Sequence, residues 1–294
     1  MSRDRLVDLL PHLPLLDALG EDEHVTRAAE ALGVPQPTVS RALRQLESRL
    51  GVALVARDGR GIRLTDAARR MLPGVRVALR AAQDALDSLD DARSTVGLAF
   101  QNSLGENLVP RLVRRLREAR PDIRVQLWQG ARDACLAELD SGRTDLAIVS
   151  GAAATHPSGE TLHLYDEPLV VVVPEGHRLA TAARVSLADV VGETHVTLKP
   201  GYGLRRTLEQ LFAAEGVPLD IAFEGDDLRT LHGLVAAGLG IAIGPEVPHP
   251  LDGCVQRPID DPRAARDMGV VFRSGPRPPA VDDVIAVLRE LTRS

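Results

Sequence analysis

The sequence predicts a winged helix-turn-helix of mainly α structure, a long linker helix, and then an α/β domain. Three observations carry this. Short amphipathic helical patterns punctuated by glycines fill the first fifty residues. A single narrow apolar stripe follows. Beyond Ser94 short apolar runs alternate with amphipathic stretches, which is the signature of a largely parallel, doubly wound sheet.

Composition sets the outer bounds. The chain has 294 residues, 44% hydrophobic and 26% charged, which suits an ordinary globular protein of two or three domains. The longest apolar run, Leu169–Val173, is far short of the roughly 20 residues that span a bilayer. Charged residues and prolines interrupt the N-terminus, so it does not read as an export signal and a cytoplasmic location is expected. Cys135 and Cys254 lack metal-ligand or disulfide-framework spacing. The net charge of −6 disfavours nucleic acid, but its distribution does not. Residues 36–70 hold eight arginines against three carboxylates, a local +5 on a remainder of −11. A basic segment on an acidic chain is an electrostatic footprint for phosphate.

Leu13, Leu16 and Leu19 place a first helix from about Pro14, and Val25, Ala28, Ala29 and Leu32 a second that ends at Gly33. A third runs from Gln36 to Leu50, with Val39, Leu43, Leu46 and Leu50 inward and Gly51 as its stop. Its other face carries Pro37, Arg41, Arg44 and Ser48, flanked by Gln36, Thr38, Ser40 and Gln45. Arginine pairs bidentately with guanine and glutamine with adenine, so this is the face a helix needs in the major groove. The turn at residues 58–61 lies between apolar pairs and predicts a small hairpin, with Arg57 and Arg60 on the wing. Thr65 caps the next helix, expected to reach about Asp91. Its stripe is Leu72, Val75, Leu79, Ala82, Leu86 and Leu89, spaced as a coiled-coil seam, so these residues are expected to dimerise. Pro73 is expected to kink its start. In the α/β part, strands are expected at 95–100, 123–128, 145–149, 168–174, 194–198, 220–224, 240–244 and 269–273. Helices are expected at 107–119, 131–141, 203–215, 227–237 and 280–292.

At this point a resemblance becomes specific. The run VTRAAEALGVPQPTVSRALRQLESRLG at 25–51 and VARDGRGIRLT at 55–65 closely resemble the signature of LysR-type transcriptional regulators. The stretches SLGENLVP at 103–110, PGYGLR at 200–205 and FEGDDLRTLHGLVAAGLG at 223–240 resemble the branch near glutamate-biosynthesis regulators. The family positions that touch DNA fall here on Thr26, Gln36, Pro37, Thr38, Ser40, Arg41 and Arg57. Pro35 and His24 depart from the family pattern at two helix caps, and Pro11 and Pro14 shorten or break the first helix. The peroxide-sensing branch keeps a reactive cysteine in the loop corresponding to 201–205, and this chain has none there.

The resemblance implies a DNA-binding domain at 1–64, a linker and dimerisation helix at 65–93, and an effector domain at 94–294. That last domain would resemble a periplasmic binding protein: two α/β lobes, about 94–173 with 269–294, and about 174–268. Ligands of open α/β sheets bind at the carboxyl ends of strands. Those ends hold Gln101, Asn102, Ser103, Arg132 and Ser150 in one lobe, and Thr197, Lys199, Gly203 and Arg205 in the other. Helix N-termini follow several of them, which suits an anionic effector such as a carboxylate. The implied partners are promoter DNA, that effector, and further copies of the chain as a dimer, usually a tetramer in the family. No cofactor, metal or membrane is implied. Ligand closing the lobes would change the spacing or bending of the bound DNA.

Two other classes fare worse. An α/β enzyme would show a nucleophile, metal or phosphate motif, and HExxH, GxSxG, GxxxxGK[ST] and GxGxxG are all missing. An exported solute-binding module would need the export signal that the N-terminus does not resemble.

Overall fold

The computed structural model describes residues 3–58, 61–87, 94–152, 159–275 and 277–292. The chain divides into two compact folding units, Met1–Thr95 with Asp140–Thr144, and Val96–Leu139 with Asp145–Ser294.

In the first unit, α1 (Arg3–Leu9) leads through a single 3-10 turn into α2 (Leu13–Asp22). Then come α3 (Val25–Ala31), α4 (Gln36–Leu50), an antiparallel hairpin of β1 (Val55–Asp58) and β2 (Gly61–Leu64), and α5 (Asp66–Asp87). The sequence pattern missed α1, because only Leu9 of its apolar residues packs against a core, while Leu6 and Val7 are half or more exposed. Leu16, Leu19, Ala28, Val39, Leu43, Leu46 and Leu54 meet in one core. Each fully buried leucine contributes about 1.5–3 kcal/mol of transfer free energy. Gly51, at φ 69°, ends α4 in the left-handed conformation that glycine takes without a Cβ penalty. Glu47 then fixes the wing to α4, its Oε1 accepting from Leu54 N–H at 2.7 Å and Val55 N–H at 3.1 Å.

α5 begins with Thr65, whose Oγ1 accepts from Ala68 N–H at 3.3 Å. Its stripe divides in two. Val75 is buried, and Leu72 and Leu79 pack partly buried, all in the core of their own unit. Ala82 and Leu86 are exposed. Leu89 lies outside the described residues. The inner part of the predicted seam is therefore already spent on the chain's own core. Beside it, buried Arg76 donates to Asp17 at 2.7 Å and Glu21 at 2.5 Å.

The second unit runs β3 (Ser94–Gln101), α6 (Leu108–Ala119), β4 (Ile123–Gly130), α7 (Arg132–Asp140), β5 (Leu146–Ser150) and β6 (Gly159–Pro174). It continues with α8 (Leu187–Val191), β7 (His195–Leu198), α9 (Gly203–Ala214), β8 (Ile221–Gly225) and α10 (Leu228–Ala236). β9 (Ala242–Pro245), β10 (Cys254–Pro258), β11 (Ala265–Arg273) and α11 (Pro279–Thr292) complete it. The main sheet has the order β10-β6-β11-β5-β3-β4, with β9 also on β6, and β7 pairs with β8.

The expectation of a largely parallel sheet is corrected here. β3–β5 and β7–β8 are parallel, but β11 runs antiparallel to β5 and β6, and β9 and β10 run antiparallel to β6. The reason is that β6 is one 16-residue strand serving two lobes. Its first part pairs with β11, and its last part lies between β9 and β10. The sequence shows only 168–174 of it, because Leu169–Val173 is buried on both faces while 159–167 is not. β10 and α8 were also missed, both being only five residues long.

Residues of alternating parity along β3 and β5 supply cores to both faces of the first lobe. Leu98, Phe100 and Ile148 face α6 and α11, while Ala99, Ala147 and Val149 face Cys135 and Leu139 of α7. A separate core around Val171, Val196, Leu204, Phe212 and Val235 holds the second lobe.

Candidate functional site

Two sites emerge, one in each unit. In the first unit, α4 buries Val39, Leu43 and Leu46 and leaves Gln36, Pro37, Thr38, Arg41, Arg44, Gln45 and Ser48 exposed, with Ser40 half-buried. Arg41 and Arg44 fold back along the helix, their Nε donating to Pro37 O at 3.3 Å and Ser40 O at 3.1 Å. Those bonds leave the rest of each guanidinium fork outward. Thr26 at the start of α3 and Arg57 on β1 are exposed as well. Arg60 lies outside the described residues. The two unusual caps have different outcomes. His24 does cap α3, its Nδ1 accepting from Thr26 N–H at 3.3 Å. Pro35 has no side-chain acceptor, Pro37 carries no N–H, and Thr38 N–H donates to Pro35 O at 2.8 Å, so the start of α4 offers few N–H groups to a phosphate.

In the second unit, α9 brings four of the residues named from sequence together: Gln101, Arg132, Ser150 and Gly203. A Cβ built on Gly203 would lie 2.0 Å from Ser150 Oγ, 2.8 Å from Gln101 Nε2 and 3.3 Å from Arg132 Cδ. The first turn of α9 thus rests directly on the ends of β3 and β5, and it has no side-chain cap. Beside it, Asp133 N–H donates to Gly201 O at 3.1 Å and Asn102 Nδ2 to Asp226 O at 3.5 Å. Ser150 and Thr197 are buried, and among the described residues their hydroxyls have no hydrogen-bond partner. Gln101 Oε1 accepts from Ser150 N–H. Ser103 Oγ receives a 3.0 Å bond from Arg266, a buried cation also paired with Glu167.

The three cations expected to serve the cleft are engaged within the protein. Arg132 donates to Ser150 O at 2.8 Å, Asp133 at 3.0 Å and Gly151 O at 3.4 Å. Lys199 pairs with Asp226 at 2.6 Å, and that hydrogen bond raises its pKa. Arg205 binds Glu209 at 2.7 Å, Leu198 O at 3.2 Å and Glu224. Burial alone would lower its pKa, but the hydrogen bonds it donates to Glu224 and Glu209 outweigh burial and raise it.

A cavity of about 450 Å³ lies on one flank of α9, walled by Arg132, Asp133, Tyr202, Arg205, Arg206 and Glu209 among others. A second, about 380 Å³, includes Ser150, Thr207, Arg263 and Asp267, and Arg206 borders both. Sequence reasoning missed Arg206, Arg263, Arg266 and Asp267. Arg206 stood next to Arg205 in a motif already singled out, but the pattern does not say which of two adjacent arginines is held by carboxylates.

The cysteines offer no reactive thiolate. Burial pushes the Cys135 thiol up to about 12, and burial also raises Cys254. Among the described residues no cluster of metal ligands exists and no helix is long and apolar enough to cross a membrane.

Comparison with known proteins bears on both sites. Residues 10–69 match the bacterial regulatory helix-turn-helix protein, lysR family, and residues 89–293 match the LysR substrate binding domain. This chain belongs to the LysR family of transcriptional regulators. It is 35% identical over 239 residues to the uncharacterized HTH-type transcriptional regulator YybE of Bacillus subtilis, covering 80% of this chain and 82% of that one. It is 31% identical over 271 residues to the DNA-binding transcriptional dual regulator OxyR of Escherichia coli, covering 90% and 88%. The effector binding domain of QuiR in complex with shikimate superposes with a TM-score of 0.64 at 25% identity, covering 69% of this chain and 98% of that one. As a LysR regulator it binds promoter DNA and a small-molecule effector, forms homo-oligomers, and is not an enzyme.

Proposed function

We propose that this LysR regulator is gated by a small organic anion held where α9 meets the ends of β3, β5 and β7. The observation that carries the reading is two buried hydroxyls without partners among the described residues, Ser150 and Thr197, with the uncapped first turn of α9 resting against Ser150. A buried hydroxyl without a bond costs free energy, and a helix N-terminus favours negative charge. An anion accepting from either one relieves that cost. Gln101, Asn102, Ser103 and Gly203 complete the floor, while Arg132, Lys199 and Arg205 shape its rim through their own ion pairs. That QuiR binds shikimate, itself an acid, supports this ligand class.

In this reading residues 1–64 bind DNA in the cytoplasm, α5 within 65–93 joins two copies, the two lobes within 94–294 sense the effector, and dimers pair into a tetramer. Thr26, Gln36, Pro37, Thr38, Ser40, Arg41 and Arg44 meet the major groove, and Arg57 the flanking backbone. Occupation of the cleft biases one lobe arrangement over the other by the difference in anion affinity between them. The test is a mobility shift on the promoter beside the gene, with and without small carboxylates. Arg41→Ala is expected to weaken specific binding by about 1–3 kcal/mol. An unchanged affinity removes α4 as the reading helix, and mobility or affinity indifferent to every carboxylate removes the anion gate.

A further inference from the structure

We infer that Arg206 is the side chain that grips the charged group of the effector, in the cavity of about 450 Å³ beside α9 and at its border with the smaller cavity that Ser150 lines. This rests on the anion-gated reading and assigns it a residue. The assignment comes from accounting for every cation around the two cavities. Arg132 is spent on Ser150 O and Asp133, and Arg205 on Glu209 and Glu224. Arg263 is spent on Glu215 at 2.7 Å and Asp261 at 2.6 Å. The Arg206 guanidinium alone among them forms no hydrogen bond or ion pair with the described residues, and it borders both cavities.

The carboxylates of the larger cavity are likewise spent, Asp133 on Arg132 and Glu209 on Arg205. One positive charge is left over. Arg206 follows directly on the first turn of α9, so its charge adds to the partial positive charge of the helix end. A free guanidinium fork matches the two oxygens of a carboxylate or a phosphate. The cavity sits near the lower end of the roughly 300–1,000 Å³ range of small-molecule sites, which suits a compact metabolite.

The test uses the full-length protein, with succinate, citrate and inorganic phosphate as probes, read by thermal denaturation and titration calorimetry. Wild type gains thermal stability with at least one probe. Arg206→Gln weakens that probe roughly tenfold to hundredfold, the range for a hydrogen bond to a charged group, and Arg206→Lys recovers part of the loss. Arg229→Gln, an equal change of charge at an exposed position of α10 outside both cavities, binds as wild type does. The ratio of phosphate to carboxylate affinity identifies the head group. If Arg206→Gln binds the probe as tightly as wild type, the assignment of Arg206 is overturned while the anion gate stands. If wild type responds to none of the three, the anion gate itself falls, and Arg206 with it.

Discussion

Replacing Gly203 by alanine sets two effects of opposite sign against each other. By helix propensity alone the change should stabilise, by at most about 1 kcal/mol. The local packing says otherwise. The added methyl would sit 2.0 Å from Ser150 Oγ and 2.8 Å from Gln101 Nε2, both far inside contact distance. Neither neighbour yields easily, since Ser150 is fully buried and Gln101 is bonded to its backbone. Arg132, the third neighbour, is tied to Ser150 O. Forcing a methyl into such packing costs about 1–3 kcal/mol, so steric overlap outweighs propensity and Gly203→Ala is expected to lose about 1–2 kcal/mol. Gly233→Ala is the matched control, because a Cβ there meets nothing within 4 Å and the residue lies inside α10. It should gain about 0.5–1 kcal/mol. Urea denaturation followed by far-UV circular dichroism measures both. Relief of the overlap by parting of the lobes would appear as a larger radius of gyration in small-angle scattering, again without a gain in stability. A gain for Gly203→Ala equal to that for Gly233→Ala would refute the contact between α9 and the ends of β3 and β5.

Two further outcomes are expected. Leu86→Glu should dissociate dimers with little change in monomer stability, because Leu86 is 58% exposed whereas Leu79 packs in its own unit's core; a dimer mass by light scattering at low micromolar protein would exclude α5 as the seam. Burial holds the His195 imidazole, edge-on to Phe212, below its ordinary value of 6.5, and His232 likewise. The unfolded chain therefore binds more protons, so this stability is present above the ordinary value and is lost as pH falls below it. The urea midpoint should drop from about pH 8 toward about pH 5, and more shallowly in His195→Phe; equal slopes in the two proteins would sink the assignment.

Local rules made much of the chain legible. α4 spans Gln36–Leu50 as its apolar spacing and the glycine stop predict, and the hairpin after it follows from a turn between apolar pairs. The failures share a physical origin. α1 turns only Leu9 to a core, and the first part of β6 is only half-buried, so neither leaves a clean periodicity. The direction of β11 depends on its partners β5 and β6, which are remote in sequence.

The order of residues by itself determined that one helix carries a basic exposed face, that a linker stripe follows, and which strand ends carry polar groups. Those properties are local, set by side-chain period and by capping within a few residues. Only the tertiary structure decided which charges are free. Lys199, Arg205 and Arg206 look equally available along the chain, but Asp226 and Glu224 arrive from another loop and strand to neutralise the first two. Electrostatic pairing depends on distance in space, and residues separated by 19 to 27 positions meet only when the lobe has folded.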